Sequence, residues 1–531
     1  MNDTQRALII QRVAAFLAAH DAEAYLVGGP VRDMLLGRPA HDLDFVVTRG
    51  DSLALARALA DELDEPFVLL DKDLGTARVV IRKSANEQMG KWINGQMGKW
   101  INGQMSKWVN GQMGKWANGP IYLDFNRLRA PTLHDDLLAR DFTVNAIAAT
   151  LPWATEPSPA HLVDPLGGQR DLERRLIRVV SDRAFQDDPL RMLRAVRQAV
   201  ALDFTIDPDT QALIRRQAAL IDQPAAERVR DELVKLFAQP HAIGGLETLD
   251  RLDLLTRIVP ELGLTKGMAQ PQAHQWDVFH HMLEAVRALE WLLARLRGQE
   301  TTLPWAPDLP VDRDALQADR VLAHLDAPSS AAGTRAVLLK FAALLHDIAK
   351  PQCRSLDVGN RIRFFQHETE GAPMAATVMR RLRFSSREAN AVANIVAQHM
   401  RPAQLVTTPN VTSRAIRRFL RAAGDETIDL LLLSLCDHLA TQGPHVQPLE
   451  WERHVAATGD MLATYFCRRE RSTTLPRLLN GHDLMTAFGL EPGQQIGALL
   501  ADLREAQLLG QVSTRDEALA WAAARLEEGD W

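Results

Sequence analysis

The sequence predicts a multidomain chain in which an α/β (α+β) head is followed by a mostly α-helical remainder, and three observations carry that expectation. At 531 residues the chain exceeds what one hydrophobic core supports, so roughly three or four domains are expected. Strand-like segments and glycine turns alternate with helices over the first 150 residues. From about residue 170 onward, apolar positions recur at helical spacing and strand signals almost vanish.

Taken in order, residues 4–20 read as a helix and 24–27 as a short apolar strand running into Gly28-Gly29, with a helix over 31–36. Further strands are expected over 42–47, 77–82 and 121–125. In the helical part, Leu190, Leu193, Val196 and Val200 recur beside a stripe of Arg191, Arg194 and Arg197. Residues 297–314, with Pro304, Pro307 and Pro310, read as a loop between helices. Residues 88–119 are four copies of an eight-residue unit, Q-M-G-K-W-I-N-G, with small changes in the third and fourth. Each Asn-Gly pair favours a tight turn, so a tolerated duplication in a surface hairpin is the default, with RNA contact by its Lys and Trp side chains as the alternative.

A hydrophobic fraction of 46% and a charged fraction of 24% are ordinary for a soluble globular protein, and no apolar run approaches a membrane span. The first residues lack the pattern of a secretory signal, and the scattered Cys353, Cys436 and Cys467 have no metal-ligand spacing. They are expected to be ordinary buried thiols in a reducing cytosol, so a cytoplasmic location is expected. The net charge of -6 argues mildly against nucleic acid, yet arginines cluster at 170–197 and at Arg414, Arg417, Arg418 and Arg421, which leaves room for local basic faces.

The chemistry-bearing pattern begins at Asp42 and Asp44. Two carboxylates at i and i+2 of a strand share a face, an oxygen-ligand arrangement suited to magnesium. Alone such a pair is weak and is more often a solvated strand edge. Gly28-Gly29 at a strand-to-helix turn offers bare backbone amides to a triphosphate, with Arg32 supplying charge. Asp124, on the 121–125 strand, offers a third carboxylate. Two metal ions bridged by three carboxylates would activate an RNA 3′-hydroxyl and neutralise departing pyrophosphate.

These residues lie in five ordered motifs: L-V-G-G-P-V-R-D-M-L-L-G (26–37), H-D-L-D-F (41–45), R-D-F-T-V-N-A-I-A (140–148), V-D-P-L-G-G-Q-R-D-L (163–172) and D-D-P-L-R-M-L-R-A-V-R (187–197). Together they make the chain resemble the class II tRNA nucleotidyltransferase (CCA-adding enzyme) and bacterial poly(A) polymerase family. The resemblance implies a metal role for Asp42 and Asp44, and ribose or triphosphate contacts near Arg140, Asp141 and Asn145. It implies that Asp188 and Arg191 act as a protein template, with Arg194 among the nucleotide-binding residues. Cytosine and adenine each present an exocyclic amine beside a ring acceptor, which an Asp acceptor next to an Arg donor matches. Taken alone, an Asp and an Arg three apart on a helix form a surface ion pair more often. The chain departs from the family at Pro30 and, more tellingly, in the 127–136 connection, where members that add the final A carry a longer loop. CC-only addition, with a separate A-adding partner enzyme, is therefore open beside full CCA addition.

Further on, D-V-F-H-H-M-L (277–283), L-L-H-D-I-A-K-P (344–351), F-F-Q-H-E (364–368), A-Q-H-M-R-P (397–402) and L-C-D-H-L-A (435–440) resemble the HD metal-dependent phosphohydrolases. The resemblance implies a site of His281, His346, Asp347, His367, His399 and Asp437, with His281 preferred to His280. Mixed imidazole and carboxylate ligands suit a transition metal such as Mn, Ni, Co or Fe. A metal that serves structure alone is the plainer alternative. Residues 478–497 resemble the family's C-terminal segment, helical and close to the tRNA body, with a turn at Glu491-Pro492-Gly493.

The expected organisation is a nucleotidyltransferase head over 1–150 with the repeat inserted at 88–119, a nucleotide-selecting neck over 151–265, an HD domain over 266–445 and a helical tail over 446–531. The expected activity is template-independent addition of CCA or CC to the tRNA 3′ end from CTP and ATP with Mg2+, with an accessory HD phosphohydrolase activity. The rivals are a poly(A) polymerase, and a phosphohydrolase of RNA 2′,3′-cyclic or 2′-phosphates whose head only binds.

Overall fold

The computed structural model describes residues 3–39, 42–82, 120–151, 159–306, 308–408, 411–508 and 510–527. The octapeptide repeat lies outside the described residues. The chain divides into two compact units, Met1–Pro260 and Glu261–Trp531.

In the first unit, helix α1 (Asp3–Ala19) precedes β1 (Glu23–Val27), α2 (Gly29–Leu35) and β2 (Asp42–Arg49). Helix α3 (Ser52–Leu63) starts at Asp51, whose carboxylate accepts the Leu53 and Ala54 amides, both at 2.9 Å. A hairpin of β3 (Phe67–Asp71) and β4 (Thr76–Ile81), then β5 (Ile121–Arg127), β6 (Ala148–Thr150) and β7 (Leu162–Val163), complete a mixed sheet ordered β3-β4-β5-β2-β1-β6-β7. The sheet thus runs past residue 150 to Val163, through a two-residue strand too short to show alternation.

Strands β2 and β5 lie side by side and parallel at the centre. Leu43, Phe45, Leu123 and Phe125 are fully buried, and the two phenylalanine rings stack at 5.2 Å. Because side chains alternate across a strand, burying these residues sends Asp42, Asp44 and Asp124 to the other face. Beyond the sheet, helices Arg191–Leu202, Ala226–Phe237 and Ala242–Arg251 bury Leu193, Val196, Leu236, Leu246 and Leu249.

The second unit is helical apart from two short hairpins, Pro328–Ser329 with Gly333–Thr334 and Arg354–Leu356 with Ile362–Phe364. Helices Val278–Leu296, Arg335–Leu345, His367–Arg381, Ser386–Gln398 and Thr427–Gln442 enclose its core. A buried Lys340–Glu290 pair at 2.8 Å joins two of them. The expected loop at 297–314 does connect helices, Val278–Leu296 and Ala318–Leu325. The tail helices Gly481–Phe488, Gln494–Leu508 and Arg515–Glu527 share a small core of Leu484, Leu499, Leu503 and Ala518. Of the cysteines expected to be buried, only Cys436 is; Cys353 is half-buried and Cys467 is exposed on a long helix, where solvent takes one flank.

Candidate nucleotidyl-transfer site and metal centre

The parallel register of β2 and β5 sets Asp44 directly opposite Asp124, with Asp42 one pleat along. Burial first, then the charges of Asp124 and Asp42, against Arg140 and Arg78, push the Asp44 carboxyl up to about 6. Three carboxylates held this close are short of positive charge, and a hard divalent cation such as magnesium supplies it. The donor set therefore fits the metal that the sequence motif implies. One departure matters. Both Asp124 oxygens are already taken by Arg78, at 2.7 Å each, because the antiparallel register of β4 and β5 aligns Arg78 with Asp124. Arg78 escaped the sequence reading, since an arginine in a short strand reads as a solvated edge.

Gly28 follows β1 at φ +74, a backbone conformation that a side chain resists, and a Cβ there would stand 2.9 Å from Arg140 Nη1. The turn therefore brings bare backbone beside a guanidinium. Arg140 is anchored by Asp136 at 3.1 Å. From α2, Arg32 donates to Asn145 Oδ1 at 2.8 Å. Asn145 donates in turn to Asp141 at 2.9 Å and Gln198 at 3.0 Å, and Arg194 pairs with Asp141 at 3.2 Å. The R-D-F-T-V-N motif is thus a buried link from the glycine turn to helix Arg191–Leu202. Gly168 secures it from below: a Cβ there would lie 2.2 Å from the Thr143 carbonyl oxygen.

Asp188 and Arg191 do not form the surface ion pair that their spacing alone suggests. Asp188 is held by Arg228 at 3.2 Å, while Arg191 donates to the Ala139 carbonyl at 2.8 Å. The Nε of Arg140 and of Arg191 are both buried and without a partner. Arg228 and Gln198 are the neck residues that sequence reasoning missed; each lies on a helical polar face with no motif to mark it.

In the second unit all six expected residues converge. His281 Nε2 lies 3.0 Å from Asp437 and 3.3 Å from Asp347, whereas His280 turns outward to Asp277. His346 Nε2 is 3.1 Å from His281 Nε2, and His367 Nε2 is 3.3 Å from His399 Nε2. The ligands separate into two groups, His281, His346 and Asp437, and Asp347, His367 and His399. Asp347 joins them: one oxygen faces His281 and His346 at 3.3 Å each, the other faces His367 at 3.2 Å and His399 at 3.7 Å.

The second layer explains why a cation suits this centre. His346, His367 and His399 each engage a backbone carbonyl through Nδ1, at 2.9, 2.7 and 2.8 Å. A neutral ring bound this way keeps its proton on Nδ1 and points an Nε2 lone pair inward. His367 and His399 then bring their Nε2 atoms within 3.3 Å, and against burial the Asp347 carboxylate raises His367. Burial, reinforced by the charge of His346, holds His399 down at about 4. At the other end burial is outweighed by Asp347 and Asp437, and His281 sits up at about 9. A divalent metal resolves every one of these frustrations. Lys350, of the H-D-I-A-K segment, also reaches Asp347 and donates to Gln270 at 2.6 Å.

Family comparisons agree with this layout. Residues 24–178 match the poly A polymerase head domain, 203–264 the probable RNA and SrmB-binding site of polymerase A, 278–442 the HD domain and 476–523 a putative second domain of tRNA nucleotidyltransferase. An A-adding tRNA nucleotidyltransferase of Deinococcus radiodurans is 35% identical over 95% of this chain and 96% of its own. The chain belongs to the class II tRNA nucleotidyltransferase family, with an HD domain. A CC-adding tRNA nucleotidyltransferase of Thermus thermophilus is 31% identical over 94% of this chain and 93% of its own. The same fold occurs in the Thermotoga maritima CCA-adding enzyme complexed with tRNA, at a TM-score of 0.53 and 19% identity, covering 98% of this chain and 95% of that one. This nucleotidyltransferase is accordingly an enzyme with a catalytic head, which sets aside the poly(A) polymerase and the non-catalytic head. Among the described residues, no helix is long and apolar enough to cross a membrane.

Proposed function

We propose that this cytosolic enzyme extends the 3′ end of tRNA with cytidylates from CTP, leaving the terminal A to a separate enzyme. The observation that carries the chemistry is the β2–β5 register, which sets Asp42 and Asp44 beside Asp124 with Asp44 pushed up to about 6. Asp42 and Asp44 would hold magnesium, which when bound would supply charge neutralisation and acidify the 3′-hydroxyl. Asp124 joins them to the extent that Arg78 releases an oxygen. The Gly28-Gly29 turn, with Arg32 and Arg140, cradles the triphosphate. Asp188, fixed by Arg228, accepts from the exocyclic amine of the incoming base, while Arg191 and Arg194 donate, Arg191 through its unpartnered Nε. The short 127–136 connection supports partial addition, as do two relatives that span nearly the whole chain, one A-adding and one CC-adding. The 35% identity to the A-adding relative favours a second reading, addition of A to tRNA already ending in CC.

Incubating the protein with tRNA lacking CCA or ending in CC, with CTP, ATP or both, and sequencing the products separates these readings. Full incorporation of CTP, or of ATP onto tRNA ending in CC, by Asp42→Ala plus Asp44→Ala would sink the corresponding reading. For the HD centre we propose phosphohydrolase activity toward RNA-terminal phosphates, dependent on Mn, Ni, Co or Fe. It should disappear in His346→Ala and survive Asp42→Ala.

A further inference from the structure

Asp124 hydrogen-bonds to a single side chain. Among the described residues its two oxygens accept from Arg78 alone, Nε to Oδ1 and Nη2 to Oδ2 at 2.7 Å each, a planar fork that leaves Arg78 Nη1 without a hydrogen bond. Strand register sets the groups in one row, Arg78 of β4 opposite Asp124 of β5 and Asp124 opposite Asp44 of β2. The Asp124 side chain is 12% exposed and that of Arg78 29%, so the pair is largely shielded from water. As a ligand to an ion shared with Asp42 and Asp44, Asp124 needs a free oxygen; the fork occupies both and adds a positive charge that opposes a divalent ion. A fixed brace and a third metal ligand are thus incompatible uses of one carboxylate.

The guanidinium is placed to change partners. It lies over the Tyr122 ring at 4.4 Å, and Tyr122 stands opposite Asp42 in the β2–β5 register, so the same sheet face leads from Asp124 to the Asp42 and Asp44 pair. In so shielded a place a guanidinium that leaves one anion needs another, and phosphate oxygens fit the same planar fork. The charge of Arg140, beside the Gly28 turn, reaches Asp44, so a triphosphate on that turn joins the same charge cluster.

We propose that Arg78 is a positioning residue that exchanges anions: in the nucleotide-free head it holds Asp124, and when a triphosphate arrives it passes to the phosphate oxygens and leaves Asp124 free to join Asp42 and Asp44 as a magnesium ligand. The triphosphate half rests on the nucleotidyl-transfer reading; the competition for Asp124 does not. In the full chain in chelator, β2 and β5 amides of Arg78→Gln should exchange about tenfold faster than the parent's, because the carboxylates lose their cation. In millimolar magnesium that deficit should vanish or reverse, and the magnesium concentration that half-protects these amides should fall about tenfold. A brace loses the same protection with and without magnesium, and that result overturns the proposal. In an Asp124→Asn background the Arg78 change should leave the magnesium midpoint within about twofold; the full effect persisting there assigns it to distant charge and overturns the exchange. Arg78→Lys, which keeps the charge but not the fork, should hold protection in chelator within about threefold of the parent's and still bind magnesium severalfold more tightly. For the nucleotide that the parent adds, Arg78→Gln should raise KM about tenfold with kcat within about threefold, and Arg78→Lys should restore KM. An unchanged KM removes the triphosphate as the receiving anion and overturns the proposal. If the parent adds no nucleotide, the nucleotidyl-transfer reading falls, and the magnesium midpoints still decide the competition for Asp124.

Discussion

Replacing Asp44 by Asn should abolish nucleotide transfer and yet stabilise the metal-free head. In the folded protein Asp44 is raised from the ordinary 3.8 to about 6 by burial, Asp124 and Asp42, with Arg140 and Arg78 only partly offsetting them. A shift of roughly 2 units corresponds to about 3 kcal/mol by which folding disfavours the charged form. Asp44 keeps some solvent contact, so about 1–3 kcal/mol is the expected range. The sign follows from the raised folded value: the penalty is complete above pH 6 and is relieved as pH falls from 6 through 3.8. Asparagine keeps the shape and removes the charge. In chelator at pH 7.5, hydrogen exchange at β2 and β5 amides, which reports the head by itself, should slow in Asp44→Asn by roughly 5- to 150-fold. The advantage should vanish at pH 4, and in millimolar magnesium it should shrink or reverse because only the parent gains the ion's binding energy. If the variant exchanges as fast as the parent in chelator at pH 7.5, the carboxylate cluster is not short of a cation and the reasoning fails.

Three further outcomes are expected. Arg228→Ala should free Asp188 and reduce the preference for CTP over UTP severalfold in kcat/KM, while head stability changes by less than about 1 kcal/mol because the pair is half in solvent. His399→Ala should lower the manganese content measured by inductively coupled plasma spectrometry from about two ions per chain toward one, since it removes one of two ligand groups joined by Asp347; a variant that keeps both ions refutes the division. Glu388 accepts from Ser329, Ala331, Ala332 and Ser385, and these donors outweigh burial to hold it down at about 2. Its stabilising effect should be complete above about pH 4.5 and fade toward pH 2, so the destabilisation of Glu388→Gln, about 1–3 kcal/mol by thermal denaturation, should be constant from pH 5 to 8 and shrink below 4.

Much of the head was legible because its signals are local. The apolar runs around Gly28-Gly29 and the alternation of Leu43 and Phe45 with Asp42 and Asp44 marked strands and a shared face before any fold was known. Helix Ser52–Leu63 and strand Phe67–Asp71 escaped notice, the latter because its F-V-L-L-D run has no alternation and lies at a sheet edge, where Val68, Leu69 and Leu70 remain exposed. In the HD domain the six ligands were readable from ordered motifs, but the choice of His281 over His280 was settled by which side of the first helical turn faces Asp437.

The sequence by itself determined which residues carry the chemistry, because residue type and spacing along one strand or helix are properties of the chain. Only the tertiary structure decided what each residue answers to. Arg78 reaches Asp124 through strand register, Arg228 reaches Asp188 across two helices, and the two oxygens of Asp347 divide four imidazoles between them. Apart from the adjacent His346 and Asp347, those pairings join residues from 20 (347 to 367) to 66 (281 to 347) positions apart, and their geometry is fixed when apolar faces pack and the polar groups left inside must find partners.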